Sequence, residues 1–134
     1  LVIVFTIKQI EILHAAAVEA GLSPIKFYGK QKEVDQENDR LIIGTTALAS
    51  EGFDYQALNR LLIAIPLLGR KSLVQVIGRI LRSDSKKTSA IVYDVIDEDH
   101  KFQGIFTESV ASKMKIINGE FEGVKVEVVN RKDL

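Results

Sequence analysis

Cysteine is absent from the 134 residues, which removes a disulfide framework, a thiol nucleophile and every thiolate metal site. The absence fits a reducing compartment. Net charge is missing as well: 18 Lys and Arg balance 18 Asp and Glu, which argues against gripping nucleic acid by bulk charge alone. No run approaches the ~18 apolar residues of a membrane span, and the densest, Leu61 to Leu68, is broken by Pro66. A soluble cytoplasmic or otherwise intracellular domain with no membrane partner is therefore expected. The two histidines, His14 and His100, lie far apart with no ligand partners at useful spacing, so no metal site is expected, and His14 reads as a helix-face residue. Gly29-Lys30 resembles the end of a phosphate loop, but Pro24 and Gln31 stand where that motif requires Gly and Ser or Thr. Neither G-x-G-x-x-G nor H-E-x-x-H occurs.

The hydrophobic share is 46%, too high for a disordered segment, and a chain of this length buries about two thirds of its unfolded surface. One domain is expected. Leu1 to Phe5 is a continuous apolar run, as in a strand buried on both faces. A strand entered so early suggests a piece of something longer. Ile7 to Ala20 follows helical spacing and ends at Gly21, a natural C-terminal cap. Ile25 to Tyr28, Leu41 to Thr45, Leu61 to Ile65 and Ser89 to Ile96 read as further strands, and Gly29 to Arg40 as a polar surface loop. Ser72 is the expected N-cap of a helix from Leu73 to Leu81. A second long helix should open at Asp97 or Asp99 and run to about Ile117, with Asn118-Gly119 as its C-cap. Val124, Val126 and Val128 alternate as a last, one-sided strand.

Strands separated by helices, with apolar and unpatterned strands, predict an α/β/α three-layer sandwich whose mainly parallel sheet has about five or six strands. In such sheets the working residues sit beyond the carboxyl ends of the strands.

Two segments carry polar groups suited to chemistry. Within Gln75-Val76-Ile77-Gly78-Arg79-Ile80-Leu81-Arg82, the side chains of Gln75, Arg79 and Arg82 fall within roughly 60° on a helical wheel, with the apolar residues opposite. Two guanidiniums on one face match phosphate oxygens and stay charged; a solvated face of an amphipathic helix has the same pattern. Gly78 beside the stripe costs about 1 kcal/mol relative to alanine, which suggests a close approach there. The second segment runs from Thr45 to Asp54, where hydroxyls, Gly52 and an acid follow a strand end. It suits a sugar-phosphate backbone, and equally an ordinary loop with a turn glycine and a capping acid.

Their order and spacing carry more than either piece. T-x5-G-x-D, an apolar strand ending in proline, then S-x2-Q-x2-G-R-x2-R resembles motifs V and VI of superfamily 2 helicases and translocases. Thr46, Gly52 and Asp54 match motif V; Gln75, Gly78, Arg79 and Arg82 match motif VI; Phe5-Thr6 and Tyr28-Gly29 resemble motifs IV and IVa. The resemblance covers residues 1 to about 97 and implies the second of two RecA-like lobes, here residues 1–134, without the N-terminal ATP-binding lobe. It implies Arg82 as arginine finger with Arg79 beside it, both directed to ATP and Mg²⁺ held mainly on the N-terminal lobe of the same polypeptide. Gln75 would touch the γ-phosphate region or attacking water, Gly52, Asp54 and Gly78 would lie at the nucleotide, and Thr6, Gly29 and Thr46 would meet the nucleic-acid backbone. Gln75 stands where DEAD-box RNA helicases carry histidine, and Val76 where they carry arginine. The pattern is nearer the DNA-directed branch that includes XPB-like repair translocases, restriction motor subunits and phage recombination helicases, which favours DNA over RNA. Tyr93-Asp94-x2-Asp97 also resembles that branch; read without it, Asp94 and Asp97 are a strand-end acid and a helix cap, or a metal pair. No D-E-x-[HD] motif is present, so no ATP hydrolysis is expected of this chain alone.

The zero net charge conceals a division. Arg70 to Lys87 holds six basic residues and one acid, whereas Tyr93 to Asp99 holds four acids and no base.

Overall fold

A computed structural model describes residues 1–29, 34–35, 41–49, 55, 58–66, 69–81, 89–96, 103–125 and 127. Five strands, β1 (Val2–Val4), β2 (Pro24–Phe27), β3 (Leu41–Thr45), β4 (Arg60–Ile63) and β5 (Ile91–Asp94), form one sheet in the order β2-β3-β1-β4-β5. Every pairing among them is parallel. β1 is central: Val2 pairs with Ile43 on one side and Leu62 on the other, and Ile3 with Gly44 and Ile63. This is the predicted parallel α/β sandwich, with five strands among the described residues.

Alternation along the strands splits the core between the two faces. Val4 and Ile43 pack with Ile10 of α1 (Ile7–Glu19) on one face. On the other, Ile3, Ile42, Leu61 and Ile63 meet Leu73, Val76, Ile77 and Ile80 of α2 (Arg70–Leu81), with Ile116 and Ile117 of α3 (Gln103–Glu120) packed against them. Thr6 begins α1 with a reciprocal capping box: its hydroxyl accepts from the Gln9 amide at 3.2 Å, and Gln9 Oε1 accepts from the Thr6 amide at 3.0 Å. The helix ends as its glycine predicts. Gly21 has φ 79°, and the bonds Gly21 N–H to Val18 O at 2.9 Å and Leu22 N–H to Ala17 O at 2.9 Å close a Schellman motif.

Several boundaries differ from the sequence reading: β4 ends at Ile63, short of Ile65, and β5 spans Ile91–Asp94 within the expected Ser89 to Ile96. α2 starts at Arg70, and the Leu73 amide donates to Gly69 O at 2.9 Å, so Ser72 lies inside the first turn and is not the cap. α3 continues through Asn118 and Gly119 to Glu120, because Ile116, Ile117 and Phe121 all reach the core cluster and reward an extra turn. Its expected opening at Asp97 or Asp99 lies outside the described residues. In the expected last strand, Val124, Lys125 and Glu127 belong to no strand. Among the described residues β5 pairs only with β4, and Ile91, Tyr93 and Val95 are 38%, 49% and 44% exposed, unlike the buried centre of the sheet. No helix among the described residues is long and apolar enough to cross a membrane.

Candidate functional site

Because the strands are parallel, their carboxyl ends share one edge, and three predicted residues fall on it. Gly29 follows β2, Thr46 follows β3 and Thr6 follows β1. In the sheet order they stand as Gly29, Thr46, Thr6, spread over two strand spacings or about 10 Å. Gly29 has φ 58°, a left-handed conformation that turns the chain sharply at the end of β2. Thr46 opens a 3₁₀ turn, Thr46–Ala49, that packs against α2. The Thr6 hydroxyl is committed to its helix: besides accepting from Gln9 it donates to Gln9 Oε1 at 3.2 Å.

α2 buries Leu73, Val76, Ile77 and Ile80 and leaves Gln75 exposed, with Gly78 and Arg79 half-buried beside it. Val74, Gln75, Gly78 and Arg79 line an open depression of about 380 Å³. A side chain at Gly78 would meet nothing within 4 Å. The closeness that the glycine suggested is therefore not supplied by the described parts of this chain, and the gap faces outward. The structure thus gathers Gln75, Gly78 and Arg79 on one face. Arg82, Gly52 and Asp54 lie outside the described residues.

Sequence reasoning missed two polar clusters at the same end of the sheet. Lys113 on α3 is buried, its side chain 5% exposed; its Nζ donates to Ile65 O at 3.0 Å and to Asp94 Oδ1 at 2.6 Å. Desolvation pushes the Asp94 carboxyl above its ordinary range, and the Lys113 hydrogen bond opposes that shift. Asp94 is thus an ion-pair partner; among the described residues no group of three or more His, Cys, Asp or Glu could hold a metal. One turn before Lys113, Ser109 Oγ is buried with no hydrogen-bond partner among the described residues. The available signal was a serine and a lysine, Ser109 and Lys113, at i and i+4 on the stripe that also carries Ile116 and Ile117.

The second cluster joins α1 to β2. Glu11 pairs with Lys26 and accepts from the Tyr28 hydroxyl at 2.8 Å. The Lys26 hydrogen bond, with help from Tyr28, holds the Glu11 carboxyl below its ordinary value. Tyr28 immediately precedes the Gly29 turn, so α1 is tied to the end of β2 as well as to the end of β1. Within the expected basic stretch, Arg70 is bridged to Glu120 of α3.

An all-parallel five-stranded sheet with helices on both faces is RecA-like. The fold defines the class: this chain is a RecA-like α/β domain. Two solved structures share the fold: the C-terminal part of the Fun30 ATPase domain (TM-score 0.63, 12% identity, 88% of this chain and 46% of that one), and S. cerevisiae Dbp5 bound to RNA and ADP BeF3 (TM-score 0.63, 17% identity, 90% and 32%). In sequence, the chain is 32% identical over 81 residues to "Putative helicase 161L" of Invertebrate iridescent virus 6, covering 60% of this chain and 17% of that protein. It is 33% identical over 78 residues to "Putative ATP-dependent RNA helicase L396" of Acanthamoeba polyphaga mimivirus, covering 56% and 14%. The chain thus spans about a sixth of the length of these relatives. No protein-family model matches it.

Proposed function

We propose that this lobe, residues 1–134, belongs to an ATP-dependent DNA helicase or translocase and completes an ATPase site held mainly by an N-terminal lobe of the same polypeptide. The observation that carries the reading is α2: an amide and a guanidinium share one outward face around a glycine with open space before it. A polyphosphate approaching from another lobe would fit that face. Arg82 is the finger, Arg79 stands beside it, and Gln75 meets the γ-phosphate region or the attacking water. Gly52, Asp54 and Gly78 adjoin the nucleotide. Mg²⁺ arrives with ATP and is held by the other lobe. When bound, the nucleotide supplies the phosphoryl group; what this chain adds is positive charge across an interface, so that hydrolysis depends on closure of the two lobes.

Thr6, Gly29 and Thr46 form the backbone-contacting edge for nucleic acid. Such contacts position a strand without reading its sequence. DNA is favoured by Gln75 and Val76 in motif VI. RNA is the second reading, favoured by the printed name of the mimivirus relative. Both readings place the protein inside the cell or an infected host.

The test uses the two-lobe protein. Arg82→Ala should lower nucleic-acid-stimulated ATP turnover by about 10³-fold, and DNA should stimulate the wild type more than RNA. Activity within twofold of wild type would remove the finger assignment, and stronger stimulation by RNA would select the second reading. The 134-residue chain alone should show no ATP turnover.

A further inference from the structure

Lys113 presents a physical puzzle. Lysine is almost never fully buried unless paired, and here it stands on a helix face whose later turns, at Ile116 and Ile117, are apolar. The preceding turn adds Ser109, whose hydroxyl is buried without a hydrogen-bond partner among the described residues, an arrangement that opposes folding. Two polar groups therefore occupy a stripe where hydrophobic residues would pack more cheaply. A buried ion pair is weak evidence for stability in itself, since well-packed apolar substitutes are often as good. What it supplies is direction.

Its geometry shows what is directed. Lys113 Nζ joins Ile65 O, just beyond β4, to Asp94 Oδ1, at the end of β5. The chain leaving Ile65 passes Pro66 and within one short connection becomes α2. The back of α2 is held by Leu73, Val76, Ile77 and Ile80, and apolar packing of this kind is non-directional. The Arg70–Glu120 bridge near its start leaves the Arg70 side chain 72% exposed and so contributes little. The buried contact of Lys113, by contrast, holds the chain directionally at Ile65, five residues before α2 begins.

We propose that Lys113 is a positioning residue for α2: by clamping the exits of β4 and β5 onto α3, it sets where the face bearing Gln75, Gly78 and Arg79 stands relative to the sheet edge. The proposal rests on the functional reading above only for the use made of that face.

The chain has no cysteine, so two introduced cysteines report a single distance. Lys8→Cys on α1 and Lys71→Cys on α2 are both exposed and can carry spin labels. In the folded Lys113→Met variant the interlabel distance should shift or broaden by about 3 Å or more, roughly half the pitch of a helical turn. A control pair within α1, Lys8→Cys with Glu19→Cys, should not change. Lys113 as a purely stabilising contact would lower the unfolding midpoint and leave the distance distribution of the folded fraction as in wild type; that result overturns the proposal. If Lys113→Met does not fold, the double variant Asp94→Ala, Lys113→Met, which leaves no unpaired buried charge, must show the same displacement. In the two-lobe protein the displacement should lower kcat about tenfold or more with little change in KM for ATP. A displaced α2 with unchanged kcat would sustain the positioning role and refute the catalytic role assigned to the α2 face.

Discussion

Asp94 and Lys113, nineteen residues apart, meet at 2.6 Å at the exit of β5, and the same ammonium reaches Ile65 O at 3.0 Å. Lys113→Ala would leave a carboxylate and a carbonyl in a desolvated place without their donor. Breaking one side of such a pair costs about 3–5 kcal/mol; urea unfolding should place this variant near 3, because the Asp94 side chain retains 28% exposure. Replacing both residues by apolar ones should cost less than replacing Lys113 alone.

The two carboxylates give opposite pH signatures. Burial raises the folded-state pKa of Asp94 above its ordinary 3.8, so the folded chain holds that proton more tightly. The associated stability is complete below the unfolded pKa and is lost as pH rises through the folded one. Relative to Asp94→Asn, wild-type stability should therefore fall as pH is raised above about 4. Glu11 is lowered from 4.5 by Lys26 and Tyr28; its contribution is present above the unfolded pKa and lost as pH falls through the folded one. Relative to Glu11→Gln, wild-type stability should fall on acidification below about 4.5. Urea midpoints measured across that range check both signs.

Gly78→Ala separates folding from function. The added methyl meets nothing within 4 Å and removes the helix-interior glycine penalty, so this chain should gain about 1 kcal/mol by thermal or urea unfolding. In the proposed two-lobe protein the same methyl would stand where we propose that the nucleotide approaches, and turnover should fall. A stabilised variant with full activity would show that nothing approaches there.

Thr6 caps α1 with a reciprocal capping box. Thr6→Ala removes the cap of α1 and should cost about 1 kcal/mol, whereas Thr6→Ser should retain nearly all of it. If the Thr6 backbone is what nucleic acid contacts, Thr6→Ser in the two-lobe protein should bind as wild type does, measured by fluorescence anisotropy at fixed salt.

Among the described residues β5 pairs on one side only, and Ile91, Tyr93 and Val95 are exposed on one face, an arrangement that invites self-pairing. Tyr93→Lys should raise the concentration at which light scattering reports aggregation, with unfolding midpoints close to wild type.

The layers, the parallel sheet and the α2 face were legible because periodicity and glycine placement report local preference. Gly21 at the end of α1 and Pro66 beyond β4 are such signals. The ends of α2 and α3 were not, since Ser72 is an equally good cap by type and Asn118-Gly119 an equally good stop. Long-range packing of Ile116, Ile117 and Phe121 decided α3. Lys113 and Glu11 escaped notice because their partners, Asp94 and Tyr28, belong to other elements, and pairing across elements leaves little local pattern.

The central place of β1 has a kinetic consequence. Leu1 N donates to Arg60 O across a separation of 59 residues, and the opposite edge of β1 pairs with β3. During synthesis β1 is exposed first and is flanked on both sides only after β4 has been made. Large loops must close before that pairing is rewarded. Until then at least one edge of this apolar strand is open, and in that interval a chaperone or a neighbouring nascent chain can compete for Val2 to Val4.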